Sequence, residues 1–261
     1  MKTLTKKEIS QIPKSFDIVG DILIFNEFPT SLIKRERKVG EYLCLKFKNI
    51  KVVARKISPF SGKYRLMRLK IIYGEKRKLT KTKENNCTFL VDVEKTYFSP
   101  RLSTDRLRVA KKIKPDDKVL VMFSGVGVYP IVISKNSKAR QIYGIEVNKK
   151  AHKLAKENID LNKIFNVKIF CGDVNKILPK IKIKFDKILM PYPKDAIKYL
   201  NIAISKAKKD AIIYFYDFMS QEQIDSKDYD FSKYPLSILS LTKCGQVGPK
   251  NYRVCLEFRV K

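Results

Sequence analysis

Four stretches decide the fold: VLVMFSGVG (119–127), QIYGIEVN (141–148), VKIFCGDV (167–174) and FDKILMPYP (185–193). Each is a short apolar run that ends in small or acidic residues, and helix-patterned segments separate them. Read together they form a strand–loop–helix series, the pattern of a parallel sheet in an α/β domain. That pattern lines Gly125, Gly127, Glu146, Asp173 and Pro191 along one sheet edge. Open α/β folds bind nucleotides and similar ligands at such an edge.

In Phe123, Ser124, Gly125, Val126 and Gly127 the two glycines let the backbone turn tightly and approach a ligand closely. Glu146 follows nineteen residues after Gly127, ahead of Val147, where an acid ending a buried strand can accept both ribose hydroxyls. The dinucleotide fingerprint requires GxGxxG, but Val128, Tyr129 and Pro130 follow Gly127. That departure suits a ligand without a pyrophosphate, such as S-adenosyl-L-methionine. Asn148 is placed to cap the helix KKAHKLAKENIDLN. Asp173, beside Val174, can accept from an adenine amino group or cap the short turn VNKIL, and both readings stand.

The chain carries 56 Lys plus Arg against 26 Asp plus Glu, a formal charge of +30 on 261 residues. A field of that sign captures polyanions. An ordinary lysine-rich enzyme is the plainer alternative. No apolar run approaches membrane-spanning length and no signal peptide precedes the first domain, so the expectation is a soluble cytoplasmic protein without membrane contact. Five scattered cysteines without a CxxC pair argue against a disulfide framework or a zinc site. The single histidine, His152, sits in a lysine-rich helix and reads as a surface residue. Acid–base work is left to carboxylates, amides, tyrosines and arginines.

Two domains are predicted, 1–98 and 99–261. The first is a small α+β unit. DIVGDILIF, YLCLKF, IKVVARKI, YRLMRLKIIYG and CTFLVDV read as short strands, with a helical piece around Ser31 to Glu41. Lys51, Arg55, Lys56, Lys63, Arg65 and Arg68 lie on or beside those strands.

SFDIVGDILIF, YRLMRLKIIYGE, KENNCTFLVDVEKTYFSPRLSTDRLRVA, MFSGVGVYPI, ENIDLNKI, GDV and VGPKNYRVCLEFRV resemble the archaeal and eukaryotic tRNA (guanine-37-N1)-methyltransferases and their relatives in wyosine biosynthesis. The resemblance runs over roughly residues 14 to 261, and YFSPRLSTDR is its most specific part. It implies a class I methyltransferase core, a mostly parallel Rossmann-like sheet, preceded by a domain that helps hold the tRNA anticodon stem-loop, in a monomer. Only some fourteen residues precede SFDIVGD, so the further N-terminal domain of larger members is expected to be missing.

Guanine N1 is protonated at neutral pH, so its methylation requires a proton acceptor and a cation for the charge growing on O6. The resemblance assigns these roles by position to Asp105 and Arg65, and makes Tyr97 and Arg106 residues that shape the same pocket. Asp105 stands where the family has glutamate; an N-cap on the helix RLRVAKKI is its other reading. Pro191 replaces an asparagine close to the methyl donor and target base and supplies a carbonyl without a side-chain amide. Val121 replaces an aspartate ahead of the glycine loop, which should weaken ligand binding. Tyr192 could stack on an extruded guanine or pack in the core.

Two other functions fit. One is aminocarboxypropyl transfer to a wyosine precursor on tRNA, and a close variant of the first reading also methylates such a precursor. The other is a basic tRNA-binding protein whose donor site has decayed.

Overall fold

The structure is a computed structural model that describes residues 3–259 and 260–261 apart from 60, 61, 63, 193, 194 and 228. Lys63 and Pro193, which fall in stretches named above, lie outside the described residues. The chain divides into two compact units, residues 1–84 with 88–100, and residues 85–87 with 101–261. Residues 85–87, near the end of the first predicted domain, belong to the second unit.

The first unit opens with helix α1 (Lys6–Ser10), closed at its start by a capping box between Thr5 and Glu8. Strands β1 (Phe16–Val19) and β2 (Ile22–Phe25) form a hairpin where sequence gave one run. Gly20, at φ 59°, makes the turn between them. Helix α2 (Glu36–Lys46) and strands β3 (Val52–Lys56) and β4 (Leu69–Gly74) complete a four-stranded sheet in the order β1-β2-β3-β4. Only β2 and β3 pair in parallel. Strands β5 (Leu79–Glu84) and β6 (Cys87–Asp92) form a separate two-stranded sheet.

YLCLKF, expected as a strand, supplies the last five residues of α2, Tyr42 to Lys46, and its C-cap Phe47. Val39 and Leu43, four residues apart, enter the same core as Leu23, Phe25, Leu32 and Val53. That helical period outweighs the local alternation of Tyr42 to Phe47.

The second unit contains α3 (Ser103–Lys111), β7 (Lys118–Met122), α4 (Val128–Asn136), β8 (Gln141–Glu146), α5 (Lys149–Leu161), β9 (Val167–Cys171), α6 (Val174–Ile177) and β10 (Phe185–Met190). It ends with α7 (Leu200–Lys206), β11 (Ala207–Ser220), α8 (Gln221–Asp225), β12 (Leu236–Gly248) and β13 (Asn251–Val260). Seven strands lie in the order β12-β13-β11-β10-β7-β8-β9. The five from β9 to β11 are parallel, and β13 and β12 are antiparallel additions.

Alternation within β7 and β10 sorts residues onto two faces. Leu120, Met122, Ile188 and Met190 join one core with Leu178, Ala203, Phe215 and Phe258. Each such fully buried aliphatic side chain contributes about 1.5–3 kcal/mol. The opposite face carries Leu189, Tyr214 and Glu257 in register, and α3 packs there, because Arg108 and Lys112 reach Glu257.

The loops after β7, β8, β9 and β10 leave from the carboxyl edge of the parallel strands. Gly125, Glu146, Asp173 and Pro191 therefore share that edge. Among the described residues no helix is long and apolar enough to cross a membrane.

Candidate active site

Beyond Met122 the chain turns sharply. Phe123, Gly125 and Gly127 take φ of 62°, 58° and 84°, and three left-handed residues in five swing the backbone over the strand end into α4. A Cβ on Gly127 would lie 3.2 Å from Ile131 Cδ1 and 3.3 Å from the Ala155 Cβ, so a side chain there is strained in both backbone and space. Ser124 N donates to Ile145 O at 2.9 Å, which ties the loop to β8. The Ser124 Oγ is buried and has no hydrogen-bond partner among the described residues. Val126 and Val121 are fully buried; at position 121 an aspartate would stand inside the sheet between Gly144 and Leu189.

Glu146 is the last residue of β8 and 9% exposed. Its Oε2 accepts from Gly125 N and its Oε1 from Asn148 N, each at 2.7 Å. Among the described residues no cation pairs with it. Burial raises its pKa above the usual carboxylate value, against the opposing pull of the Asn148, Gly125 and Val147 amides. A carboxylate has about four acceptor positions, so capacity remains for further donors. Asn148 caps α5 by accepting from Lys150 N and Ala151 N, as the sequence predicted.

Asp173 takes the capping geometry at the start of α6, its Oδ1 accepting from Asn175 N at 3.0 Å. Val174 is buried in the core and Val147 is half-buried. Pro191 follows β10 directly, and Tyr192 N donates back to Met190 O at 2.8 Å. The Tyr192 ring lies 5.1 Å from that of Phe123, which meets Tyr199 edge-on at 4.9 Å. The aromatic after this strand is thus packed against the glycine loop.

Asp105 lies in the first turn of α3, whose N-cap is Leu102, so the capping alternative is not what the structure adopts. It is 5% exposed. Its Oδ2 accepts from the Tyr129 hydroxyl at 2.9 Å and the Tyr216 hydroxyl at 2.6 Å. Its Oδ1 accepts from Arg108 Nε at 2.9 Å, Arg108 Nη2 at 2.7 Å and Cys244 Sγ at 3.3 Å. Burial, followed by the charge of Asp105, holds the Tyr129 hydroxyl well above its ordinary pKa. Burial also raises that of Tyr216. Both remain neutral donors at physiological pH. Arg106 is 3% exposed, with its guanidinium 5.9 Å from the Tyr129 ring centroid.

Arg65 and Tyr97 belong to the first unit. Arg65 precedes β4 instead of lying on it, in a turn at φ 51° whose amide donates to Gly62 O. A basic residue in the left-handed region is uncommon, which is why a strand reading of YRLMR missed the turn. The Arg65 guanidinium lies over the Tyr97 ring, 5.0 Å from its centroid.

Sequence reasoning missed Arg108, Tyr129, Tyr216 and Cys244 as partners of Asp105. Arg108 was readable as an i+3 ion pair on a helix. Tyr129 and Tyr216 carried one signal, since a tyrosine inside a buried run needs an acceptor for its hydroxyl. Nothing in the spacing named that acceptor.

The five parallel strands, the glycine loop after the first and the acid closing the second define a class I methyltransferase fold and site. Residues 80–233 match the model of the TRM5/TYW2 methyltransferase domain, and residues 1–77 match that of the TYW2 N-terminal domain. The chain belongs to the TRM5/TYW2 methyltransferase family.

A tRNA (guanine(37)-N(1))-methyltransferase, Trm5b of Pyrococcus abyssi, is 35% identical over 95% of this chain and 76% of its own length. A tRNA 4-demethylwyosine(37)-methyltransferase, Taw21 of Saccharolobus solfataricus, is 34% identical over 83% of each. The solved complex of aTrm5 with tRNALeu superposes with a TM-score of 0.85 at 30% identity, covering 98% of this chain and 75% of the other. Trm5 of Methanocaldococcus jannaschii in complex with adenosine gives 0.80 at 30% identity, over 97% and 76%.

Proposed function

We propose that this chain transfers a methyl group from S-adenosyl-L-methionine to N1 of guanosine 37 in the tRNA anticodon loop, as a cytoplasmic monomer. The observation that carries the reading is Glu146. It is a buried carboxylate at the end of β8, oriented by the Gly125 and Asn148 amides, with no cation among the described residues to neutralise it. The orphaned Ser124 Oγ in the same loop is a second polar group without a partner. Both fit an adenosine-type ligand: Glu146 would hold the ribose hydroxyls, and Phe123 to Gly127, with Val147, would line its path. Asp173, Val174 and the Pro191 carbonyl would border the adenine and sulfonium ends. Bound there, the donor supplies an electrophilic methyl group on sulfur.

The remaining chemistry falls to side chains of this protein. Asp105 is the proposed acceptor of the N1 proton. All its near positions are filled, so one contact must yield, and the Cys244 thiol is the weakest donor of the set. Arg108, Tyr129 and Tyr216 then position the carboxylate. Arg65 is the proposed partner for charge on O6, with Tyr97 beneath its guanidinium, and Arg106 supports the pocket wall.

A second reading, aminocarboxypropyl transfer to a wyosine precursor on tRNA, is favoured by the match of residues 1–77 to the TYW2 N-terminal domain. One assay separates the two. The protein is incubated with S-adenosyl-L-methionine and either unmodified tRNA bearing G37 or tRNA bearing the wyosine precursor, and the nucleosides are analysed by mass spectrometry. A methyl mass on guanosine is the expected result. A larger adduct on the precursor alone selects the second reading. No product, with no donor binding by calorimetry, leaves a basic tRNA-binding protein.

A further inference from the structure

A groove of about 490 Å³ opens on the α3 face of the large sheet, near the amino ends of the parallel strands and away from the glycine loop. Backbone register explains its position. Phe185 pairs with Ala207 but Lys187 pairs with Ile212, so residues 208–211 leave the ladder, with Asp210 in the left-handed region at φ 62°. The missing rung exposes the row Lys187, Ile212 and Arg259, beside the row Leu189, Tyr214 and Glu257. Lys112 and Lys114, leaving α3, form the other wall.

Two donors in this groove are unusual. Lys187 is 9% exposed and Tyr214 1%, both line the open space, and neither side chain makes a hydrogen bond or ion pair among the described residues. Glu257, the buried acid beside them, is already engaged by Arg108 and Lys112. Burial holds the Lys187 ammonium below its ordinary pKa, with Asp117 partly opposing the shift. Both polar atoms open onto the groove, and an oxyanion seated there would accept from both without displacing a protein group.

We infer that this groove binds a phosphate group, free or carried on a nucleic acid, through Lys187 Nζ and the Tyr214 hydroxyl, with Lys114 and Arg259 at its rim. This site is separate from the transfer centre and does not depend on the reaction assigned there.

The test is calorimetric titration of inorganic phosphate into the full chain, with ionic strength held constant by chloride. Saturable binding at one site is expected, weakened roughly tenfold or more in Lys187→Met and less in Tyr214→Phe. Melting temperature and S-adenosyl-L-methionine binding serve as folding controls. If Lys187→Met does not fold, Tyr214→Phe and Arg259→Gln carry the test. Displacement of phosphate by tRNA would assign the site to an RNA phosphate; retention of phosphate beside bound tRNA would assign it to the free ion. Non-saturable uptake overturns the inference, as does an unchanged affinity in Lys187→Met or an equal loss in Lys168→Ala, a lysine exposed on β9.

Discussion

Glu146 and Asp105 are both buried acids of the second unit, and they are held in opposite ways. Among the described residues Glu146 accepts hydrogen bonds from backbone amides alone, which leaves its charge uncompensated and its outer lone pairs open. Asp105 is enclosed by an arginine, two tyrosines and a thiol, which neutralise it and fill both oxygens. The difference separates an acceptor waiting for a ligand from one built into the fold. A carboxylate without a cation in a low-dielectric setting is costly, and a bound pair of hydroxyls would recover that cost.

The largest effect should come from Asp105→Asn. Loss of a general base costs about 10²- to 10⁴-fold in turnover, and single-turnover kinetics with saturating tRNA would measure it. The melting temperature should fall too, because Arg108 loses one of its two acidic partners. An unchanged rate would move the proton acceptor elsewhere and leave Asp105 as a structural clamp.

Glu146→Gln should cost less stability. Its folded pKa is raised, so the stability it contributes is present below the unfolded carboxylate value and is lost as pH rises through the folded one. At neutral pH the charge therefore destabilises, but the amide NH2 would face the Gly125 or Asn148 N–H, a donor against a donor, so the two effects oppose and a smaller fall in melting temperature than in Asp105→Asn is expected. Donor affinity should drop by about 1.5–3 kcal/mol, roughly 10- to 100-fold by calorimetry. A melting point lowered as far as in Asp105→Asn would erase the contrast between the two acids.

The same shift predicts a pH profile. Donor affinity should weaken on acidification through the raised pKa of Glu146, by up to about tenfold per pH unit below it, and the slope should vanish in Glu146→Gln. A slope retained in that variant would point to another titrating group.

The smallest effect is expected from Tyr216→Phe, which removes one of two hydroxyls on Asp105 Oδ2. A net loss of about 1 kcal/mol is expected, or about 2–4 °C in melting temperature for a domain of this size. Tyr129→Phe should behave alike, and the double variant should exceed the sum, since both hydroxyls bind one oxygen and each other.

Much of the site was legible because its logic is local. Strand, glycine turn and strand-ending acid follow one another along the chain, and period-2 alternation with left-handed glycines is written in neighbouring residues. Elements whose conformation depends on distant packing were not legible. YLCLKF alternates like a strand, yet it is helical because Val39 and Leu43 share one core. The stretch LTKTKE has too little apolar character to announce β5. Arg65 was placed on a strand and sits in the turn before it.

The order of the parallel strands' loops, the glycine turn, the acid at 146 and a large positive charge are written in the residues alone, because short-range sterics and composition act within a few residues. Only the tertiary structure decided what surrounds Asp105 and what leaves Lys187 unpaired. Around Asp105 the distant partners arrive from α4, β11 and β12, with Tyr129, Tyr216 and Cys244 lying 24, 111 and 139 residues away. Sheet register brings them together, and register is fixed by the packing of the whole domain.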